Sequence, residues 1–105
     1  ELNPFVQDPK EFDMGAIKNI LKSVGFNDLN ILGENIQLSK TNSIKESIYK
    51  DSQIKGVNFG KLMQFLRISL VGDLSGPDVF FIIKIVGKDV TLRRLNSLLE
   101  KIQKQ

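Results

Sequence analysis

The residue types that most often carry enzyme chemistry are missing from this sequence. Its 105 residues include neither Cys nor His. Cys supplies thiolate nucleophiles and zinc ligands, and His supplies the commonest general base and the commonest nitrogen ligand of metals. Most hydrolytic and metal-assisted mechanisms therefore lack their parts. We predict a domain with no catalytic residue, no metal site and no cofactor site of its own.

The charged residues point weakly to a polyanionic partner. Lys and Arg number 15 against 12 Asp and Glu, which gives a formal net charge of +3. Such a balance favours nucleic acid over an acidic partner surface of the same size. It is too small to identify a partner by itself.

No targeting or membrane segment is predicted. The first ten residues contain acidic groups and two prolines, where a signal peptide would have a basic end and an apolar run. The apolar stretches are interrupted long before the roughly 20 residues that a bilayer requires. We expect a soluble, cytoplasmic protein that does not contact a membrane.

Two prolines divide the chain into a junction and a domain. Pro4 and Pro9 push the residues before them out of helical geometry. Residues 1–10 are therefore predicted to be an extended linker from a preceding domain, and residues 11–105 a helical domain. Because the chain starts at Glu1, we expect a cut between two domains at this point.

Three helices are predicted in the first half of that domain. The first has Asp13 as its N-cap and Gly25 as a left-handed end. A weaker second helix runs from residue 27 or 28 to about 38. The third begins at a capping box formed by Ser43 and Glu46, and it ends near residue 53.

Three more helices are predicted in the second half. Asn58 caps a fourth helix that ends at Gly72; the alternation of apolar residues in 66–71 also permits a strand, but the helical spacing extends further upstream. Pro77 suits the first position of a fifth helix, which ends at Gly87. The sixth runs from about 88 to 103, with Arg93, Arg94, Lys101 and Lys104 in water. The fold class is thus all-α, a compact bundle or cage of about six short helices.

Three motifs in the second half resemble a known family. They are GKLMQFLRISLVG at 60–72, GPDVF at 76–80, and IVGK at 85–88 followed by LRRL at 92–95. Their order and spacing are similar to those near the C-terminus of bacterial-type glutamyl-tRNA synthetases, the class I enzymes whose last domain binds the anticodon. The likeness is looser upstream of Gly60.

The resemblance implies a non-catalytic part of a glutamate-tRNA ligase. Such an enzyme attaches glutamate to tRNA with ATP and Mg²⁺ on a separate catalytic domain. Its His-Ile-Gly-His and Lys-Met-Ser-Lys-Ser-like signatures are absent here. The implied partner is the anticodon loop of tRNA(Glu), bound by a monomer, and no DNA partner is expected.

The resemblance also implies which residues contact the anticodon. An Arg offers several fixed donors to the edge of a splayed base, and the free backbone groups at a helix start offer a template that is independent of side chains. For Phe80, packing in the core is an alternative of equal weight to contact with the anticodon. Some family members have Thr where Gly76 stands, so a hydroxyl contact is unavailable. The implied contact residues are Arg67, Gly76, Pro77, Asp78, Val79 and Phe80, and diffuse contacts to the tRNA backbone are assigned to Lys61, Lys88, Arg93 and Arg94.

Two other classes of function stay open at this point. A helical protein-protein interaction module would bind through an exposed apolar groove, without RNA. A DNA-binding helix-turn-helix needs a recognition helix with several polar side chains, and only the last helix comes close. Salt dependence separates the interaction module from the nucleic-acid binders.

Overall fold

Six α-helices build the domain. The computed structural model describes residues 7–104, so most of the predicted linker, residues 1–6, lies outside the described range. No strand occurs within it, and the prediction of an all-α fold with six helices is confirmed. Two 3₁₀ turns, Phe26–Leu29 and Thr41–Ser43, precede the second and third helices. The helices are α1 Met14–Leu21, α2 Asn30–Leu38, α3 Ile44–Lys55, α4 Phe59–Val71, α5 Val79–Val86 and α6 Lys88–Gln103.

The fourth helix is the centre of the packing. It contacts α1, α3, α5 and α6, while α2 packs against α3 and α6. Leu62, Phe65 and Leu66 of α4 are fully buried, and Phe65 is the largest fully buried side chain. Burial of such apolar surface is the main stabilising term in a domain of this size. One continuous core therefore holds α4 and the helices around it in fixed positions.

Several predicted helix ends are confirmed. The Asp13 side chain accepts a hydrogen bond from the Ala16 amide, and the Asn58 side chain accepts one from the Lys61 amide, each at 3.0 Å. Gly72 ends α4 in the left-handed region with φ +92°, and Gly87 follows α5 with φ +90°.

Two predicted helix signals in the first half of the domain are wrong. Gly25 is not a left-handed end: its φ is −65° and its ψ 151°, α1 ends earlier at Leu21, and Gly25 instead precedes the first 3₁₀ turn. Ser43 makes no capping hydrogen bond, because the second 3₁₀ turn brings it into α3 in helical geometry. An N-cap side chain reaches the first-turn amides from an extended backbone, which Ser43 lacks. Glu46 pairs with Lys50 instead, at 3.3 Å.

The described end of the predicted linker is tied to the helical domain. The Asp8 carboxylate accepts hydrogen bonds from both Arg93 and Arg94, the latter at 3.0 Å. Further along, the Asp13 amide donates to the Gly72 carbonyl at 2.8 Å. Residues 8–13 therefore lie between the middle of α6, at Arg93 and Arg94, and the end of α4, at Gly72.

Arg94 is not in water, contrary to the prediction. Its side chain is 1% exposed, and Nη1 donates to the Leu70 carbonyl at 2.8 Å. The side chain of Arg93 is 57% exposed and stays at the surface as predicted. Two adjacent arginines thus have different roles, because only one of them points into the space between α4 and α6.

The pairing of Asp8 predicts a pH-dependent stability. The hydrogen bond from Arg93, helped by that from Arg94, holds the pKa of Asp8 below its ordinary value, although partial burial opposes this. Since the unfolded carboxyl has the higher pKa, the unfolded state binds more protons. The stabilisation that ionised Asp8 gains from the two arginines is therefore fully present above the unfolded pKa, about 4. It is lost as the pH falls through the pKa of the folded state.

Urea unfolding at a series of pH values from about pH 6 downward checks the prediction in the parent chain and in Asp8→Asn. The parent should be the more stable at pH 6, and the difference should shrink towards the acid end. A difference that stays constant with pH would mean that the charge of Asp8 contributes nothing.

Candidate nucleic-acid interface

A hollow lies where α3, α4 and the start of α5 meet. Its volume is about 380 Å³. It is bounded by polar and by aromatic side chains, so that a ligand inside would meet hydrogen-bond donors and flat apolar surface together. The lining residues are Lys45, Phe59, Met63, Gln64, Arg67, Leu74, Asp78, Val79 and Phe80.

Arg67 reaches this hollow from α4. Phe59, Met63 and Arg67 are four residues apart, so they follow one another along one face of the helix. The Arg67 side chain is half-buried, and its Nη1 donates a hydrogen bond to the Pro77 carbonyl. Two of the predicted contact residues are thereby joined directly, and the guanidinium is held at the edge of the hollow.

The start of α5 differs from the prediction by two residues. Pro77 does not occupy the first helical position; it precedes the N-cap, which is Asp78. The Asp78 carboxylate accepts hydrogen bonds from the amides of Phe80, at 2.7 Å, and Phe81, at 3.3 Å. Its negative charge therefore neutralises the positive end of the helix.

Two backbone donors at this helix start have no partner within residues 7–104. The amides of Asp78 and Val79 make no hydrogen bond there, whereas the Ile82 amide donates to the Asp78 carbonyl at 3.2 Å. Orphan amides of this kind are typical of a helix N-terminus and pair with water or a ligand. The Val79 side chain is only 4% exposed and packs in the core, so its backbone is its contribution to the site.

Phe80 contributes to both the core and the hollow. Its side chain is half-buried and packs against the core, and the same ring lines the hollow. The Lys45 ammonium lies 6.0 Å from the ring centroid, at the limit of a cation-π contact. Core packing of Phe80 is thus observed in part, and its contact with the anticodon stays a prediction.

The loop between α4 and α5 is ordered by its own polar groups. The Asp73 carboxylate accepts hydrogen bonds from the Ser75 hydroxyl at 2.7 Å and from the Ser75 amide at 2.9 Å. These hydrogen bonds, the hydroxyl first, lower the pKa of Asp73, and the nearby charge of Arg67 adds to them. Gly76 has φ +116°, which other residues rarely adopt. The turn therefore delivers Pro77 and Asp78 to the hollow in a defined backbone geometry.

The predicted diffuse contacts are not gathered at the hollow. Lys88 donates to the carbonyls of Gln37, at 3.2 Å, and Ser39, at 2.6 Å, and so satisfies the end of α2. Lys61 lies on another face of α4 from Arg67, being six residues away at about 100° per residue. Arg93 and Arg94 share Asp8. The structure unites Arg67 with residues 76–80 and leaves the four other basic residues elsewhere.

Sequence reasoning missed part of the lining. Phe59 and Met63 could have been found from their spacing to Arg67. Lys45 and Leu74 gave no signal, because α3 and the loop approach α4 only through tertiary packing. In the described part of the chain, none of the helices has the length and apolar character needed to cross a membrane.

The fold and the site define a helical domain of the anticodon binding domain family, to which the chain belongs. Residues 1–99 match that family. Among its relatives, the glutamate-tRNA ligase of Flavobacterium johnsoniae is 35% identical over 93% of this chain, and that of Christiangramia forsetii is 32% identical over 90%. A crystal structure of a glutamate tRNA ligase from Elizabethkingia meningosepticum in complex with its amino acid is 37% identical, covers 92% of this chain and has a TM-score of 0.80.

The chain is much shorter than these proteins. It spans 19% and 20% of the two ligases' length and 20% of the solved chain. The likeness therefore concerns this one domain, and the predicted resemblance to glutamyl-tRNA synthetases is confirmed at that level.

Proposed function

We propose that this domain binds the anticodon loop of tRNA(Glu) as the C-terminal part of a glutamate-tRNA ligase. Its relatives carry that name, and its family is defined by anticodon binding. In the parent enzyme, ATP and Mg²⁺ would act on the catalytic domain, and this domain would supply recognition alone. We propose further that it works in the cytoplasm and as a monomer.

The observation that carries the proposal is the contact of the Arg67 side chain with the segment that begins α5. The hydrogen bond to Pro77 fixes the guanidinium while leaving its other donors without a partner among the described residues. Beside it stand the unpartnered amides of Asp78 and Val79. A base in the hollow would meet donors from a side chain and from the backbone, which together read the edge of a single-stranded base.

The charges at this place favour a base over a phosphate. The Asp78 carboxylate is exposed at the helix start and would repel a phosphate there. Phe80 presents an apolar ring on which a base can pack. Diffuse attraction to the tRNA backbone is assigned to Lys61 and to Arg93, which stays exposed although it is paired with Asp8. Lys88 and Arg94 donate to backbone carbonyls of the domain itself.

A low-salt titration with RNA stem-loops tests the proposal. The chain should bind a glutamate anticodon stem-loop more tightly than one with a scrambled anticodon. Arg67→Ala should reduce that preference by about 5- to 150-fold, since a specific contact of an Arg with a base discriminates by roughly 1–3 kcal/mol. Arg93→Ala is the matched control, because it removes an exposed Arg far from the hollow and should keep the preference.

Equal binding of both loops by the parent chain would overturn the proposed function. If Arg67→Ala, with its fold verified by circular dichroism, still prefers the glutamate anticodon, the proposed function stands but the anticodon binds elsewhere on the domain. An interaction module without RNA binding is the alternative that Phe81 and Ile85 suggest, because these side chains of α5 lie one turn apart and are 53% and 40% exposed. It predicts no RNA binding at any salt concentration.

A further inference from the structure

A second hollow adjoins the one that contains Arg67. Its volume is about 340 Å³, and α3 provides most of its wall. Lys45 and Phe59 line both hollows, so the two are neighbours along α3 and α4, and together we call them the trough. The residues of this second hollow are Asn42, Lys45, Glu46, Tyr49 and Phe59.

The trough contains an aromatic side chain that the core does not need. The Tyr49 residue is 49% exposed and is not part of the core cluster. Its ring meets that of Phe59 at 83°, with 5.2 Å between the centroids. This edge contact orients Tyr49, which lines the second hollow and keeps about half of its surface exposed.

The cation beside it is available to a ligand. Lys45 is exposed, and no carboxylate within residues 7–104 lies at salt-bridge distance from it. The neighbouring Glu46 would repel an anion, but its carboxylate is paired with Lys50 at 3.3 Å. The Lys45 ammonium thus has no carboxylate partner among the described residues and lies 6.0 Å from the Phe80 ring centroid, and Lys45 lines the second hollow together with Tyr49.

We propose that this second hollow is a subsite for the nucleotide next to the base held at Arg67. The base of that nucleotide stacks on Tyr49, and its phosphate lies against Lys45. The inference rests on the proposed function and extends it along the RNA strand. Alternating rings and cations in one groove are the features that bind single-stranded nucleic acid, because every base has a face to stack and every linkage has a charge.

Fluorescence of 2-aminopurine, placed at one loop position at a time, tests the stacking. One position beside the bases that depend on Arg67 should be quenched on binding. Tyr49→Leu should abolish this quenching and weaken binding by about 5- to 150-fold, the range for loss of one stacked base. Tyr49→Phe should show the quenching and the affinity of the parent chain, because it keeps the ring. With an abasic nucleotide at that position, Tyr49→Leu should no longer weaken binding, because there is no base to stack.

The salt dependence of binding tests the phosphate contact. Lys45→Gln should reduce the slope of log K against log salt by about 0.7, the value for one phosphate of a single strand. Lys18→Gln is the matched control: it removes an exposed cation on α1 that lines neither hollow, and it should leave the slope unchanged.

The outcomes separate this subsite from the proposed function. If Tyr49→Leu and Lys45→Gln bind like the parent while Arg67→Ala loses the anticodon preference, the subsite does not exist and the proposed function stands. If no stem-loop binds the parent chain at low salt, both fail. Thermal unfolding of each variant verifies that a loss of binding comes from the surface and not from the fold.

Discussion

Gly72→Ala should destabilise the domain by about 2–4 kcal/mol. Gly72 ends α4 with φ +92°, a conformation that strains any residue with a Cβ. A Cβ at this position would also stand 2.5 Å from the Glu11 carbonyl oxygen and 3.3 Å from the Pro9 Cβ. The backbone cannot yield easily, because the Gly72 carbonyl accepts the Asp13 amide at 2.8 Å. Either the segment before α1 detaches or the end of α4 unwinds.

Gly56→Ala is the control for this prediction. Gly56 also ends a helix in the left-handed region, with φ +69°, but nothing lies within 4 Å of a Cβ built there. Its substitution should cost only the conformational strain, about 1 kcal/mol. Urea unfolding of both variants measures the two costs. Equal destabilisation would show that the contact of Gly72 with Glu11 adds nothing.

The helices of the second half could be predicted because their signals are local. Apolar side chains recur along α4 at helical spacing, Asn58 caps its start, and Gly72 ends it, all within one stretch of chain. The helix-boundary predictions at Gly25 and Ser43 were wrong for a common reason. Each adjoins a 3₁₀ turn that replaces the expected helix boundary, and no residue type in the sequence distinguishes such a turn from the end of an α-helix.

The site was predicted in part, and the missing part depends on tertiary structure. The resemblance grouped Arg67 with residues 76–80, and the hydrogen bond from Arg67 to Pro77 spans only ten positions of the chain. Lys45 and Tyr49 come from α3, which reaches the same surface through packing against α4. A half-exposed Tyr and an unpaired Lys on a helix have no sequence pattern that separates them from an ordinary wet face.

The burial of Arg94 could not be predicted from the sequence for the same reason, because it depends on tertiary contacts. Its partners are the Leu70 carbonyl, 24 positions away, and Asp8, 86 positions away. A pair of adjacent arginines on an amphipathic helix predicts two solvated cations, as was expected here. The buried position arises because the segment before α1 returns across α6 and covers one of them.

Arg94→Ala should therefore destabilise the domain by about 3 kcal/mol. It removes a large buried side chain and leaves the Leu70 carbonyl, which is in the core, without its donor. Arg94→Met keeps much of the volume and should cost about 1–2 kcal/mol, the penalty for the unsatisfied carbonyl. Arg93→Ala is the control: it also loses a contact with Asp8, but its side chain is exposed and should contribute little to stability.

Urea unfolding of the three variants ranks these contributions, and RNA binding separates structure from recognition. Arg94→Met should bind the stem-loop like the parent wherever it is folded, because its side chain faces Leu70 and not the solvent. Arg93→Ala should keep its stability and show a smaller salt slope if the exposed cation attracts the tRNA backbone. The reverse pattern, a stable Arg94→Met that binds weakly, would mean that the buried Arg94 leaves the core to contact RNA.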